Sequence, residues 1–276
     1  IDSVEDIVQT ALRFKHKAIA ITDHNSAQSF PDLYKATKNR PIKPIYGVEF
    51  NTVDEQDIEV AWHDYEGTLR DATYTVFDIE TTNLSVNFGK IIEISAIKIK
   101  DHQVISQFNR FVNPHEKLSE FTKKFTGISD SDVANADDIE TVIKDFYAFF
   151  KDTIMVAHNA RFDMGHVYEN LKKISDESFK FPTIDTLQIA RQVYHDKLNR
   201  FNLKAVAKYF KVELKQHHRA IYDTRATADI FMHMLTDLDR LSVKKFNDLK
   251  QLNKFIKGYN PYINAMPKHL NVLVAN

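Results

Sequence analysis

The chain has 276 residues, 43% of them hydrophobic and including 20 Phe and 11 Tyr, enough for one large domain or two smaller ones with substantial cores. A net charge of −1 excludes a globally basic nucleic-acid binder, so any contact with a polyanion must come from a local patch. With no cysteine there is neither a disulfide nor a thiolate metal site, and no apolar run reaches membrane-spanning length. This pattern fits a reducing, cytoplasmic setting without a membrane partner. The chain starts at Ile1 inside a helical pattern, without a signal peptide, and is expected to be a piece of something longer.

Between Ser3 and Phe14, Val4, Ile7, Val8, Ala11 and Leu12 recur at helical spacing, with Ser3 placed as N-cap before Asp6. Ala18 to Thr22 reads as a short apolar strand ending in Asp23-His24. A second helix spans about Ser29 to Thr37, and Pro44 to Val53 reads as another strand. Strand, helix, strand with polar groups at the strand ends predicts a fragment of a βα barrel, too short to close alone. Asp54 to Asp71 is acidic and reads as a linker.

Thr73 to Glu80, Ile91 to Lys100 and Val104 to Phe111 then form an antiparallel meander, with Asp101-His102 as a tight turn. Asp138 to Phe150 is an amphipathic helix, with Asp137 and Glu140 in capping-box positions. Thr153 to Ala157 is a buried-type strand that leads into another helix. Further helices run from about Asp185 to Tyr194, Asn202 to Phe210 and Asp223 to Leu238. These elements describe one α/β domain of ordinary size. From Leu241 the composition turns rich in Lys and Asn, and His269 to Val274 reads as a new strand returning to the amino-terminal fragment. The expected partition is therefore a barrel fragment at 1–67 and 241–276, interrupted by an α/β domain at 72–240.

Asp78 and Glu80 lie two apart in a strand, so their carboxylates project from one face. Oxygen ligands of this kind suit Mg²⁺ or Mn²⁺. Asp163 and Asp223 each stand near a helix start, where an acidic residue taken singly reads as a cap. Together, four carboxylates and His218, five residues before Asp223, make the set needed to hydrolyse a phosphodiester with two divalent cations. The carboxylates offset the repulsion between the cations. A His with a pKa near ~6.5 can take a proton from the attacking water at neutral pH.

Three stretches carry a resemblance. Asp78-Ile79-Glu80-Thr81-Thr82, His158-Asn159-Ala160-Arg161-Phe162-Asp163 and His218-Arg219-Ala220-Ile221-Tyr222-Asp223 are similar to the three motifs of the DEDDh exonucleases. Arg219, rather than Tyr, four residues before the last Asp separates the chain from the sister group. The run Gln216 to Thr224 resembles the proofreading exonuclease of the PolC-type bacterial DNA polymerase III family, in which the exonuclease interrupts a PHP domain. Thr22-Asp23-His24-Asn25, Gly47-Val48-Glu49 and His269 resemble PHP motifs. The PHP family's amino-terminal His-x-His pair is absent, so no PHP activity is expected.

The resemblance implies an α/β, RNase H-like exonuclease domain, a mixed sheet flanked by helices, inserted in a partial PHP-type βα barrel. It implies a metal-dependent enzyme that uses two Mg²⁺ or Mn²⁺ ions to remove nucleotides from the 3′ end of DNA. Its implied partners are the replicative polymerase domains of the same parent chain, with a sliding clamp as a further candidate. Asp78, Glu80, Asp163 and Asp223 would bind the metals and His218 would be the general base. Thr81, Thr82 and Leu84 would line the terminal nucleotide; Phe162 is a candidate for stacking on a base, with an ordinary core Phe as the alternative. His158 and Asn159 would contact phosphate or hold the Asp163 loop. Arg161 and Arg219 are candidates for steering phosphates, with solvated charge as the alternative, and Glu93 is either near the metal pair or a simple edge charge. Asn83 stands where many members carry Gly and is expected to tolerate a left-handed turn. Two competing readings are an RNA-trimming nuclease of the same superfamily and a catalytically silent module that binds DNA ends.

Overall fold

The computed structural model describes residues 3–24, 26–49, 59–175, 177–214 and 219–252. The chain divides into two units, Ile1–Asp54 and Glu55–Asn276. In the first, α1 (Val4–Arg13) opens on a capping box: Ser3 Oγ accepts the Asp6 N–H at 3.2 Å, and Asp6 accepts the Ser3 N–H at 3.1 Å. Strand β1 (Ala18–His24), α2 (Phe30–Thr37) and β2 (Lys43–Glu49) form a βαβ unit with parallel strands. Val8 and Ala11 of α1 meet Leu33 and Ala36 of α2 in a small core. The strand and helix expected here are present. The barrel return expected at His269–Val274 lies outside the described residues, as does Asn25.

The second unit is built on a six-stranded sheet in the order β3-β8-β7-β4-β5-β6. Strands β4 (Tyr74–Thr81), β5 (Ile91–Lys100) and β6 (Gln103–Phe111) form the expected antiparallel meander. Asp101 and His102 both take positive φ, 50° and 59°, as a two-residue hairpin turn requires. Strand β7 (Ile154–Ala157) adds parallel to β4, and β8 (Thr183–Asp185) adds parallel to β7. Helices cover both faces. Helices α5 (Ile139–Phe150) and α6 (Ala160–Leu171) pack on one face through Val142, Phe146, Met164 and Val167. Helices α7 (Thr186–Val193), α8 (Leu203–Phe210) and α9 (Ala220–Arg240) pack on the other through Ile189, Val206, Phe231 and Met234. Among the described residues no helix is long and apolar enough to cross a membrane.

The structure moves both edges of this unit relative to the sequence reading. Within the expected linker, β3 (Ala61–Trp62) pairs antiparallel with Thr183 and Ile184, and Val60, Ala61 and Leu69 are buried. A two-residue strand is too short to show alternation, so its acidic surroundings dominated the reading. Beyond Leu241, Val243, Phe246, Leu249 and Leu252 are buried in the same core, with Phe246 and Leu249 on the short helix α10 (Phe246–Leu249). Leu69 N–H donates to Lys244 O at 2.8 Å, tying the two edges together. Two further short helices, α3 (Glu120–Thr126) and α4 (Asp130–Val133), occupy a stretch to which the sequence reading assigned no element. The N-cap of α5 is Asp138, not Asp137, and makes no side-chain capping bond, whereas Asp137 pairs with Arg110.

Candidate active site

Strand β4 lies inside the sheet, and its side chains alternate between the two cores. Tyr74 and Val76 join the core under α9, with Tyr74 edge-on to Phe231. Phe77 and Ile79 join the core under α5 and α6. Asp78 and Glu80 therefore fall on the α9 side, at the carboxyl end of the strand, where open α/β sheets place their ligands. Helix α9 begins at Ala220, three residues before Asp223, which sits in its first turn. One carboxylate oxygen from each of Asp78, Glu80 and Asp223 lies within 4.8 Å of the others.

Asp163 stands outside this cluster of three. It enters from α6, on the opposite face, and its Oδ1 accepts the Ile79 N–H at 3.3 Å, between Asp78 and Glu80. Neither Asp163 nor Asp223 is a capping residue: Asn159 is the N-cap of α6 and Arg219 that of α9. The cap reading of these two aspartates is thereby removed.

Burial and repulsion from neighbouring carboxylates favour the protonated forms of Asp78 and Glu80. Burial first, then the charges of Asp163, Glu80 and Asp223, raise the Asp78 carboxyl well above the usual range. Glu80 is pushed up to about 8 by burial, then by Asp223, Glu93 and Asp163. Asp163 is raised chiefly by burial. A hard divalent cation is the species that relieves such a cluster, and an all-carboxylate donor set fits Mg²⁺ or Mn²⁺.

Glu93 is not an edge charge. It lies on β5 directly opposite Glu80, is fully buried, and accepts the Ala220 N–H at 3.3 Å while facing Arg219 Nε at 3.4 Å. It thus ties β5 to the start of α9. Arg219 contacts Glu93 and lies over the Phe111 ring, with its charge also felt by Glu80. Arg161 pairs with Glu59 at 3.3 Å in an exposed ion pair and lies over Trp62.

A cavity of about 590 Å³ opens over the cluster. Thr81, Thr82, Leu84, His158, Asn159 and Phe162 all line it, together with Asp78, Glu80 and Asp223. His158 has both ring nitrogens engaged, Nδ1 with Thr186 Oγ1 at 3.0 Å and Nε2 with Phe201 O at 2.9 Å. Asn159 takes a left-handed φ of 76°. Asp185, at the end of β8, accepts the N–H groups of Asn159 at 3.0 Å, Ala160 at 3.1 Å and Leu187 at 2.8 Å. These contacts hold the Asp163 turn. Asn83 does not take the left-handed backbone expected of it; its Oδ1 instead accepts the Ser85 N–H at 2.8 Å in an Asx turn. The close approach is at Gly89, where a Cβ would lie 2.3 Å from Asn83 O. His218, with the rest of 215–218, lies outside the described residues.

The sequence reading missed the far wall of this cavity. Phe121, Thr122, Phe125 and Thr126 of α3 line it, as do Arg191 of α7 and Asn202 at the start of α8. For Phe121 and Phe125 the available signal was their spacing of four within Phe121-Thr122-Lys123-Lys124-Phe125.

Comparison with known proteins agrees with this geometry. A family model described as "Exonuclease" matches residues 75–231. DNA polymerase III PolC-type of Staphylococcus saprophyticus is 42% identical over 276 residues, all of this chain and 19% of that protein. The Bacillus subtilis protein of the same name is 41% identical over 277 residues, again all of this chain and 19% of its own length. The chain thus spans about a fifth of these curated relatives. The crystal structure of E. coli exonuclease I in complex with a dT13 oligonucleotide superposes with a TM-score of 0.55 at 18% identity, covering 62% of this chain and 42% of that one, and shares the fold.

Proposed function

Because this chain belongs to the exonuclease family and is a 3′–5′ exonuclease, we propose that it proofreads DNA during replication as part of a PolC-type DNA polymerase III. In this reading the polymerase domains belong to the same parent chain and the setting is cytoplasmic. The βαβ unit of residues 1–54 is part of a PHP-type barrel that the exonuclease interrupts. The observation that carries the reading is the convergence of Asp78, Glu80 and Asp223 within 4.8 Å, at the floor of a cavity lined by all the expected substrate residues.

Asp78, Glu80 and Asp223, with Asp163 beside them, are the residues that would hold two Mg²⁺ or Mn²⁺ ions. When bound, such ions lower the pKa of water and offset charge on the reacting phosphate. The chain's own groups do the rest. Thr81, Thr82, Leu84 and Phe162 hold the 3′-terminal nucleotide against the cavity floor. Asp185 and His158 fix the turn that carries Asp163 and keep its carboxylate facing β4. The imidazole of His218 takes a proton from the attacking water. Water oxygen bonds to phosphorus, the bond to the 3′-oxygen of the penultimate nucleotide breaks, that oxygen takes up a proton, and a 5′-mononucleotide leaves.

The test is release of mononucleotides from the 3′ end of single-stranded DNA with Mg²⁺ or Mn²⁺. The wild type should release them, and Asp78→Ala should lose at least about a hundred-fold in rate, the scale of one lost group that stabilises developing charge. Equal rates in the two proteins would remove the enzymatic role of the cluster. His218→Ala should lower the rate at neutral pH while leaving Mn²⁺ affinity within about two-fold; an unchanged rate would take His218 out of the mechanism.

A further inference from the structure

Helix α3 buries the wrong residues for a folding helix. Thr122 and Thr126 are buried, at 3% and 2% exposure, while Phe121 and Phe125 are exposed at 74% and 44%. An amphipathic helix ordinarily does the reverse, since burying a Phe is worth far more than burying a Thr. The inversion is fixed rather than loose. Ser119 caps the helix by accepting the Thr122 N–H at 3.0 Å, Gly127 ends it at φ 71°, and Thr126 Oγ1 bonds to Thr122 O at 2.9 Å. Thr122 Oγ1 reaches Thr82 O at 3.4 Å, which joins this helix to the segment after the metal strand. The two outward rings lie parallel, 13° apart in plane and 5.7 Å between centroids, on the wall of the cavity that holds Asp78 and Glu80.

Both rings line the cavity, while the threonines of the same helix fill the core side. We propose that Phe121 and Phe125 form a stacking step for the nucleobase just 5′ of the scissile phosphate, on a strand that has left its duplex. This rests on the exonuclease reading above and deepens it. A ring face accepts any base, so the step is tolerant of sequence. It is selective for an unpaired end, because a base still stacked in a duplex has no free face to offer. Lys124, exposed on the same helix, adds a cation for the backbone, the pairing of charge and aromatic surface that single strands require.

The experiment compares two substrates. One is a mixed-sequence single-stranded octanucleotide. The other is the p-nitrophenyl ester of thymidine 5′-monophosphate, which has a terminal nucleotide and no second base. In Phe121→Ala, the ratio of kcat/KM on the octanucleotide to kcat/KM on the ester should fall at least about five-fold, carried by KM, and Phe121→Trp should restore it. A general loss of structure moves both substrates together and leaves the ratio unchanged. An unchanged ratio in Phe121→Ala overturns the stacking step while the exonuclease reading stands. A wild type inert on both substrates overturns the two together.

Discussion

At the scale of single residues, Glu80 shows what the cluster does to its members. Burial and the charges of Asp223, Glu93 and Asp163 outweigh the nearby Arg219 and push its pKa from the ordinary 4.5 up to about 8. The native state therefore holds a proton that the unfolded chain has lost across that range. In the metal-free protein the stability that Glu80 contributes is full below about 4.5 and is lost as pH rises through about 8. Thermal melts of metal-free protein should show Tm declining over this window, and Glu80→Gln should flatten the decline. Added Mn²⁺ should raise Tm most at the alkaline end, where the carboxylates are free to bind it. The pair Asp78 and Glu80 was legible in the sequence because a strand's period of two leaves no freedom about which face they share. Asp163 and Asp223 were legible only as members of a set, since an aspartate near a helix start reads equally as a cap. Glu93 was ambiguous because nothing in a sequence states which residue lies across the ladder.

At the scale of elements, the site depends on how two helix starts are pinned. Asp185 joins the end of β8 to the start of α6 through the N–H groups of Asn159 and Ala160, caps α7 through the Leu187 N–H, and has its pKa pushed up to about 6 by burial despite these bonds. Asp185→Asn keeps the shape but can turn an amide donor toward one of those N–H groups. It should cost about 1–3 kcal/mol in urea melts, with a loss of exonuclease rate as Asp163 shifts. A rate equal to wild type would mean that Asp185 only supports the fold. Glu93 plays the same part for α9, through Ala220 and Arg219. Long elements with a clean period, such as α5, α9 and the meander, were read within a few residues. Helix α3 was not, because its threonines face in and its phenylalanines face out, the inverse of the pattern that sequence reading relies on. Strand β3 failed for a different reason, since two residues carry no period at all.

At the scale of the molecule, the exonuclease unit extends past the boundary that composition suggested. Val243, Phe246, Leu249 and Leu252 recur every third residue and are all buried, although the Lys-rich stretch around them reads as a change of domain. Phe246 is fully buried and edge-on to Tyr65, so Phe246→Ala should cost about 3–5 kcal/mol in chemical denaturation of the whole chain. A cost below about 1 kcal/mol would return 241–252 to the neighbouring unit. The parallel β1–α2–β2 piece belongs to the first unit and the sheet that carries the acidic cluster to the second. All the described residues assigned to the chemistry accordingly come from the second unit. The measurement closest to the central claim is an anomalous difference map from crystals of this chain soaked in Mn²⁺. Density should lie among the carboxylates of Asp78, Glu80 and Asp223, with Asp163 beside it. Manganese bound elsewhere in crystals whose protein is active, with nothing at these three residues, would contradict it.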